Sequence, residues 1–137
     1  MNFKNLFQNF CKKNNLEINS YQLIIIEELE SFYKLNFNKS IFNKFFLKNN
    51  SKTAFYLHGG VGVGKTMILN FFFDIVEQKK LRQHFNEFML SFHNFAHEKK
   101  AKNEENAINE FVKNLKLQTK LIYFDEFQVT NIVDAMI

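Results

Sequence analysis

The chain has 137 residues, of which 46% are hydrophobic, and its formal net charge is +4. This length and hydrophobic content suffice for one ordinary domain with a buried core, which excludes an intrinsically disordered chain. The positive charge comes from 17 lysines and the single arginine Arg82, in a sequence that is also rich in Asn and Ile. That composition is typical of an A/T-rich coding sequence, so we predict no dedicated nucleic-acid site.

The longest apolar run, residues 67–76, is short and contains Asn70 and Asp74. A membrane span needs about 20 apolar residues, so we predict no transmembrane helix. The lone Cys11 cannot form an internal disulfide. A reducing compartment fits this best, which favours the cytoplasm.

Helical periodicity dominates the start of the chain. Phe3, Leu6, Phe7 and Phe10 share one helical face, which favours a docking helix of the folded domain. Apolar residues recur at helical spacing over about 19–35, with Asn and Ser at its start as plausible N-caps.

The pattern further predicts a short helix over residues 40–47 and a polar loop over 48–52. This loop separates two regions of different composition. We therefore predict an N-terminal helical arm over 1–50 and the first part of a catalytic core over 51–137.

Strands and helices alternate in the predicted core. A short β-rich run at 53–57 is a predicted strand, and it precedes a glycine-rich segment. An apolar helix is predicted after that segment, over 67–76. Residues 83–85 are a candidate strand, and 87–97 a helix or an irregular segment.

An amphipathic helix is predicted around Ile108 to Leu115, followed by an apolar strand over 121–124. Strands that alternate with helices predict an α/β fold, in which a parallel sheet is sandwiched by helices.

The segment 59–66, GGVGVGKT, matches the phosphate-binding pattern G-x-x-x-x-G-K-[ST] between a predicted strand and a predicted helix. All four glycines of the chain lie within it, so general glycine content does not explain them. Such a loop needs positive φ and no obstructing side chains, because its backbone N–H groups must reach phosphate oxygens. We predict an ATP-binding loop formed by Gly59, Gly60, Val61, Gly62, Val63, Gly64, Lys65 and Thr66.

Two residues of this loop carry specific chemistry. We predict that Lys65 neutralises the β- and γ-phosphates as a catalytic residue, and that Thr66 gives its hydroxyl to Mg²⁺. The helix that begins there adds the positive end of its dipole.

Asp125 and Glu126 follow four apolar residues at the carboxyl end of a predicted strand, where ligand sites of α/β sheets lie. Neighbouring strand residues face opposite ways, so the two acids need different roles. We predict that Asp125 holds the Mg²⁺ shell and that the catalytic Glu126 orients and polarises the attacking water.

The chain resembles the ZapE-like AAA+ ATPases over about residues 19–137. Three segments carry this resemblance: FYLHGGVGVGKTMILNFFF, HFNEFMLSFHNFAHE and LIYFDEFQVTNIVDAMI. The resemblance implies an AAA+ P-loop ATPase that uses ATP and Mg²⁺, matching 59–66 to the nucleotide loop and Asp125 with Glu126 to the metal and water acids. It also implies a homo-oligomer that remodels protein partners such as FtsZ-like division machinery. A mitochondrial location peripheral to the inner membrane is the alternative to the cytoplasm.

Sequences of this kind are expected to continue past Ile137 into a sensor strand, an arginine finger and a lid. We therefore expect a fragment whose sheet is incomplete at its carboxyl end. The alternative function is a non-hydrolysing, nucleotide-dependent binding or scaffold protein that lacks the sensor and arginine-finger elements.

Overall fold

A computed structural model of the chain describes residues 2–37, 53–60, 62–99 and 104–127. The chain divides into two compact units, residues 1–76 and residues 77–137. The helices and strands of the described residues are, in chain order, α1 (Phe3–Lys13), α2 (Ser20–Phe37), α3 (Lys65–Ile75), β1 (Lys80–His84), α4 (Phe85–Lys99), α5 (Glu104–Gln118) and β2 (Leu121–Asp125).

Helix α1 confirms the predicted docking helix. The side chain of Asn2 caps it by accepting a hydrogen bond from the backbone N–H of Asn5 at 2.9 Å. Phe3, Phe7 and Cys11 recur at four-residue spacing and are all buried. This spacing places them on one stripe, which packs into the core while the rest of the helix is half-buried or exposed.

Helix α2 confirms the predicted helix that begins after Asn19. The side-chain oxygen of Asn19 accepts the backbone N–H of Tyr21 at 2.9 Å, which satisfies one donor of the first turn. Ile26, Leu29 and Phe32 follow at three-residue spacing and are buried. The helix thus directs one apolar face inward.

Glu30 connects α2 to the start of α1. Its carboxylate accepts the backbone N–H of Phe3 at 3.0 Å and pairs with the Lys34 ammonium at 2.5 Å. Partial burial opposes the ionised form, but these two hydrogen bonds outweigh it and hold the pKa of Glu30 below its usual value. The carboxylate therefore stays charged at neutral pH.

Helix α3 supplies the centre of the core in residues 1–76. Its buried face carries Ile68, Phe71 and Phe72. The Phe71 ring packs edge-on against Phe7 of α1 at a centroid distance of 5.1 Å, and the Phe72 ring lies 6.5 Å from Phe32 of α2. Both neighbouring helices therefore hold α3 in place. The predicted helix over 67–76 is confirmed, although it begins two residues earlier.

The strand predicted over residues 53–57 is wrong, since residues 53–60 form neither helix nor strand. A strand requires a hydrogen-bonded neighbour, and the two described strands pair with each other. Phe55 still packs against Phe32 at a centroid distance of 6.1 Å. The helix predicted at 40–47 and the loop at 48–52 lie outside the described residues.

The predicted domain boundary between residues 50 and 51 also lies outside the described residues and stays a prediction. The two compact units divide at residues 76 and 77, within the predicted catalytic core.

Strands β1 and β2 form a parallel pair in which Lys80 lies opposite Leu121 and His84 opposite Asp125. The predicted strand over 121–124 is confirmed and extends by one residue. The strand predicted over 83–85 is shifted, because Phe85 is buried as the first residue of α4 and no longer belongs to the sheet.

The described residues thus form a mixed fold with a small parallel sheet, which is compatible with part of a P-loop ATPase. Helices on both faces of a larger AAA+ sheet stay a prediction.

Aromatic rings fill the core of residues 77–137. Phe88 of α4 packs edge-on against Phe124 of β2 at 4.8 Å, and Phe92 of α4 packs against Phe111 of α5 at 5.3 Å. This cluster joins both helices of the unit to the strand that ends at Asp125. The helix predicted around Ile108 to Leu115 and the helical alternative for 87–97 are both confirmed.

None of the helices within the described ranges combines the length and the apolar character needed to cross a lipid bilayer.

We expect Phe7→Ala to lower the free energy of unfolding of the chain by about 3–5 kcal/mol, because it removes a fully buried aromatic ring. Urea unfolding followed by circular dichroism measures this change. The matched control is Ile24→Ala on α2, whose side chain is 51% exposed and whose loss we expect to cost less than about 1 kcal/mol. Equal losses in the two variants would contradict the packing described for α1.

Candidate functional site

Three of the predicted loop glycines adopt backbone conformations that L-residues rarely take. Gly59 has φ 149°, and Gly62 and Gly64 both have φ 84°. Gly64 is also the N-cap of α3, and its carbonyl accepts the N–H of Ile68 at 3.0 Å. The backbone conformation therefore explains why glycine stands at these three positions.

Gly60 differs from these three glycines. Its φ lies outside the left-handed region, and a Cβ there would meet no atom within 4 Å. Neither conformation nor space requires glycine at this position. Val61 lies outside the described residues, and Val63 is 52% exposed.

The Lys65 side chain folds back over the loop. Its ammonium donates hydrogen bonds to the carbonyl oxygens of Gly59 at 2.8 Å and Gly60 at 2.5 Å. An ammonium has three N–H donors, so these two contacts leave one for an anionic ligand. The sequence predicts Lys65 as part of the loop, and in the structure its ammonium is hydrogen-bonded to the loop backbone.

Thr66 lies exposed in the first turn of α3. The backbone N–H groups of a first helical turn lack intrahelical partners and carry the positive end of the helix dipole. An anion near Gly64 would therefore meet unpaired donors as well as the Lys65 ammonium. The Thr66 hydroxyl stands beside them as an oxygen donor for a cation.

A cavity of about 220 Å³ adjoins the loop. The start of α2 contributes Tyr21, Gln22 and Ile25 to its lining, and the loop contributes Gly60 and Lys65. The Tyr21 side chain is 72% exposed. The cavity therefore combines an accessible aromatic ring, a side-chain amide and the predicted phosphate-binding loop.

Gln22 links the start of α2 to the loop. Its amide Nε2 lies 3.5 Å from the carbonyl oxygen of Val63, and its Oε1 accepts the backbone N–H of Asn19 at 3.1 Å. A Cβ on Gly64 would lie 2.9 Å from the same Nε2. Sequence analysis missed Gln22, because a contact across 41 residues leaves no local signal.

The two predicted acids end strand β2. Asp125 is its last residue and is half-buried, whereas Glu126 is exposed and has φ 51°. A non-glycine residue in this left-handed region is uncommon, and such residues cluster at functional sites. The strand ends at Asp125, and the backbone changes direction at Glu126. The different roles of the two acids stay a prediction.

Arg82 on β1 pairs with Asp125. Its Nε donates to Oδ2 at 2.6 Å and its Nη2 to Oδ1 at 3.2 Å. These hydrogen bonds are the main reason that the pKa of Asp125 lies below its usual value, while partial burial acts in the opposite direction. Sequence analysis placed Arg82 before a strand and did not predict this pair.

Tyr123 completes the group around Asp125. Burial and a hydrogen bond to Asp125 raise the pKa of Tyr123 to about 12, so its hydroxyl remains a neutral donor at physiological pH. The Arg82 guanidinium carbon lies 4.8 Å from the centroid of the Tyr123 ring. The Asp125 carboxylate therefore receives donors from two side chains.

The predicted metal ligands are an alcohol oxygen on Thr66 and a carboxylate on Asp125, which belong to different units. Oxygen donors suit a hard cation, and Mg²⁺ usually keeps several waters and binds through substrate phosphates. Over the described ranges, no group of three or more His, Cys, Asp or Glu side chains could hold a metal ion. Each of the two predicted residues offers an oxygen ligand that suits a hard cation, and waters and substrate phosphates would supply the other ligands.

We expect Gly64→Ala to lower the free energy of unfolding by about 1–2 kcal/mol, because alanine is strained at positive φ. The new Cβ would also force the Gln22 amide to move. Gly60→Ala is the matched control, with an expected change within about 0.5 kcal/mol. Denaturant unfolding of both variants checks this, and equal stabilities would contradict the loop conformation.

We expect Asp125→Asn to lower the free energy of unfolding by about 1 kcal/mol at pH 7, since the lost pair with Arg82 is partly exposed to solvent. The folded-state pKa of Asp125 is depressed. Its contribution is therefore present above the unfolded-state value of about 3.9 and is lost as the pH falls through the folded-state pKa. Urea unfolding at a series of pH values tests this, and a difference in stability between the two proteins that does not shrink as the pH falls below about 3.9 would refute it.

The family of AFG1-like ATPases matches residues 12–137. Lactation elevated protein 1 homolog B of Danio rerio is 39% identical over 94 residues, which cover 61% of this chain and 19% of that protein. Cell division protein ZapE of Escherichia coli strain K12 is 32% identical over 91 residues, which cover 66% of this chain and 24% of that protein. No solved structure matches the chain significantly.

The matched region spans about a fifth to a quarter of the length of these curated relatives. The family match includes both the glycine-rich loop at 59–66 and the acids at 125–126, and it covers most of the chain. These findings agree with the resemblance that the motifs indicate. The chain belongs to the AFG1-like ATPase family.

Proposed function

We propose that the chain binds ATP with Mg²⁺ at the loop 59–66 and contributes to ATP hydrolysis. The observation that carries this proposal is the glycine turn that ends in the N-cap of α3, with the Lys65 ammonium folded over it. This arrangement concentrates positive charge and backbone donors at one place, as phosphate binding requires.

Lys65 has a definite part in this binding. When phosphate oxygens are present, the ammonium exchanges its hydrogen bonds with the Gly59 and Gly60 carbonyls for stronger ones to charged oxygens. The lysine is already at the loop, so little reorganisation is needed. Thr66, in the first helical turn, directs its hydroxyl to the cation that accompanies the phosphates.

The cavity beside the loop supports binding of a whole nucleoside triphosphate. Tyr21 offers an exposed ring for stacking on a base, and the Gln22 amide offers both a donor and an acceptor. Ile25 adds apolar surface to the same cavity. A base and sugar placed there would remain attached to phosphates on the loop.

The acids of β2 provide the proposed hydrolytic chemistry. Glu126 would accept a proton from water and orient that water for attack on the γ-phosphorus, with cleavage of the bond to the β-phosphate oxygen and release of ADP. Asp125 would hold the cation through its carboxylate. Mg²⁺, when bound, would neutralise charge on the phosphate oxygens. The left-handed conformation of Glu126, directly after Asp125, supports this division of roles.

We further propose that ATP turnover drives remodelling of a protein partner by a homo-oligomer. The name of the Escherichia coli relative refers to cell division, which favours FtsZ-like division machinery as that partner. A cytoplasmic location, or a peripheral one at the mitochondrial inner membrane, belongs to the same proposal.

We expect Lys65→Ala to weaken ATP binding about 10- to 100-fold, because hydrogen bonds to charged groups contribute about 1.5–3 kcal/mol. Glu126→Gln should keep ATP affinity and lose hydrolysis, since the amide cannot accept the proton from water. Fluorescent ATP-analogue titration and phosphate release measure the two effects. Lys12→Ala, at an exposed position of α1, is the matched control.

The outcomes separate the competing functions. Binding that Lys65→Ala does not weaken would refute the loop as the phosphate site. Binding without turnover in both the unmodified chain and Glu126→Gln would instead favour the nucleotide-dependent scaffold.

A further inference from the structure

The Arg82 guanidinium is hydrogen-bonded to the carboxylate of Asp125, the residue that the proposed function assigns as a cation ligand. Its Nε and Nη2 reach the two oxygens of Asp125 separately, so both are engaged at once. Arg82 is also the only arginine among the 137 residues. A planar guanidinium matches a carboxylate in this two-point manner, whereas a lysine ammonium acts as a point charge.

The register of the sheet produces this pair. Arg82 lies opposite Tyr123 in the parallel ladder, and Asp125 lies two residues farther along β2. Residues two apart on a strand share a face of the sheet, so Arg82 and Asp125 are diagonal neighbours. The pair is consequently built into the backbone pairing of β1 and β2.

The guanidinium has a second partner at the same position. It lies over the Tyr123 ring, 4.8 Å from the centroid, and its side chain is 38% exposed, compared with 19% for Asp125. A guanidinium that leaves the carboxylate can therefore keep its contact with the aromatic face and gain water. Displacing Arg82 from Asp125 does not require unfolding of the sheet.

We propose that Arg82 and the divalent cation compete for the Asp125 carboxylate, so that Arg82 sets the cation affinity of the site. The proposal rests on the proposed role of Asp125 as a cation ligand. In the described state the guanidinium neutralises the carboxylate and fills a hydrogen-bonding position on each oxygen. A cation that binds Asp125 must share or displace that guanidinium, which weakens its binding.

A purely structural clamp would behave in the opposite way. If Arg82 only oriented Asp125 for the cation, removing the guanidinium would leave the carboxylate less well placed and lower the cation affinity. The sign of the change in affinity therefore distinguishes competition from orientation.

The test is a titration of the full 137-residue chain with Mn²⁺, without nucleotide, followed by electron paramagnetic resonance of free Mn²⁺. We expect Arg82→Gln to tighten Mn²⁺ binding about fivefold, the effect expected of one partly exposed charge pair. Arg82→Lys keeps the charge but loses the two-point contact, so we expect a smaller gain, about twofold. Unchanged or weaker binding in Arg82→Gln would overturn the proposal.

Two further variants locate the effect. Asp125→Asn introduced into Arg82→Gln should abolish the gain, and a gain that persists would show that Mn²⁺ binds elsewhere. Lys99→Gln breaks another exposed pair, with Glu110 at 2.8 Å, and should leave Mn²⁺ binding unchanged. Thermal unfolding of each variant verifies that it folds. If Arg82→Gln does not fold, Arg82→Lys decides the question: tighter Mn²⁺ binding supports competition, and unchanged or weaker binding overturns it.

Failure of this inference can be told apart from failure of the proposed function. Titration of a fluorescent ATP analogue in EDTA, with Lys65→Ala as comparison, tests the loop without any cation. Loss of the Lys65 effect with a retained Arg82 effect would refute nucleotide binding at the loop and leave the competition intact. The reverse result would refute the competition alone.

Discussion

Burial of one face of α3 positions the loop that precedes it. Ile68 is fully enclosed, and the rings of Phe71 and Phe72 meet those of α1 and α2. Residues three apart lie close to the same face of a helix, so a fixed Ile68 also fixes the direction of Lys65, one turn earlier. The aromatic core of this unit thereby determines where the ammonium and the helix N-terminus point.

Ordering the backbone of the loop costs conformational entropy, which the packing of α3 must offset. Glycines lose more backbone freedom on folding than other residues, and three of the loop glycines are held at positive φ. The hydrogen bonds from the Lys65 ammonium to two loop carbonyls offset part of that cost. The hydrogen bond that the Gly64 carbonyl accepts from Ile68 at the start of α3 offsets another part. A bound phosphate would offer the ammonium charged oxygens in place of these neutral carbonyls.

Local patterns predicted those elements whose stability depends on nearby residues. The helices follow from apolar spacing, and β2 follows from an uninterrupted apolar run whose Phe124 packs on the buried residues of α4. The prediction failed at 53–57, because a strand exists only with a partner, and at 83–85, because Phe85 is drawn into the core. The pairs Gln22 with Val63 and Arg82 with Asp125 span 41 and 43 residues. Only sheet register and helix docking bring such residues together.

Glu126 has a backbone conformation that is uncommon for a residue other than glycine. A non-glycine residue at φ 51° costs about 1–3 kcal/mol, a cost that glycine would avoid. The chain nevertheless carries an exposed carboxylate there, next to a carboxylate that Arg82 and Tyr123 hold. Strain at an exposed position gains nothing for the core. This strain supports the proposal that Glu126 and Asp125 have separate roles in hydrolysis.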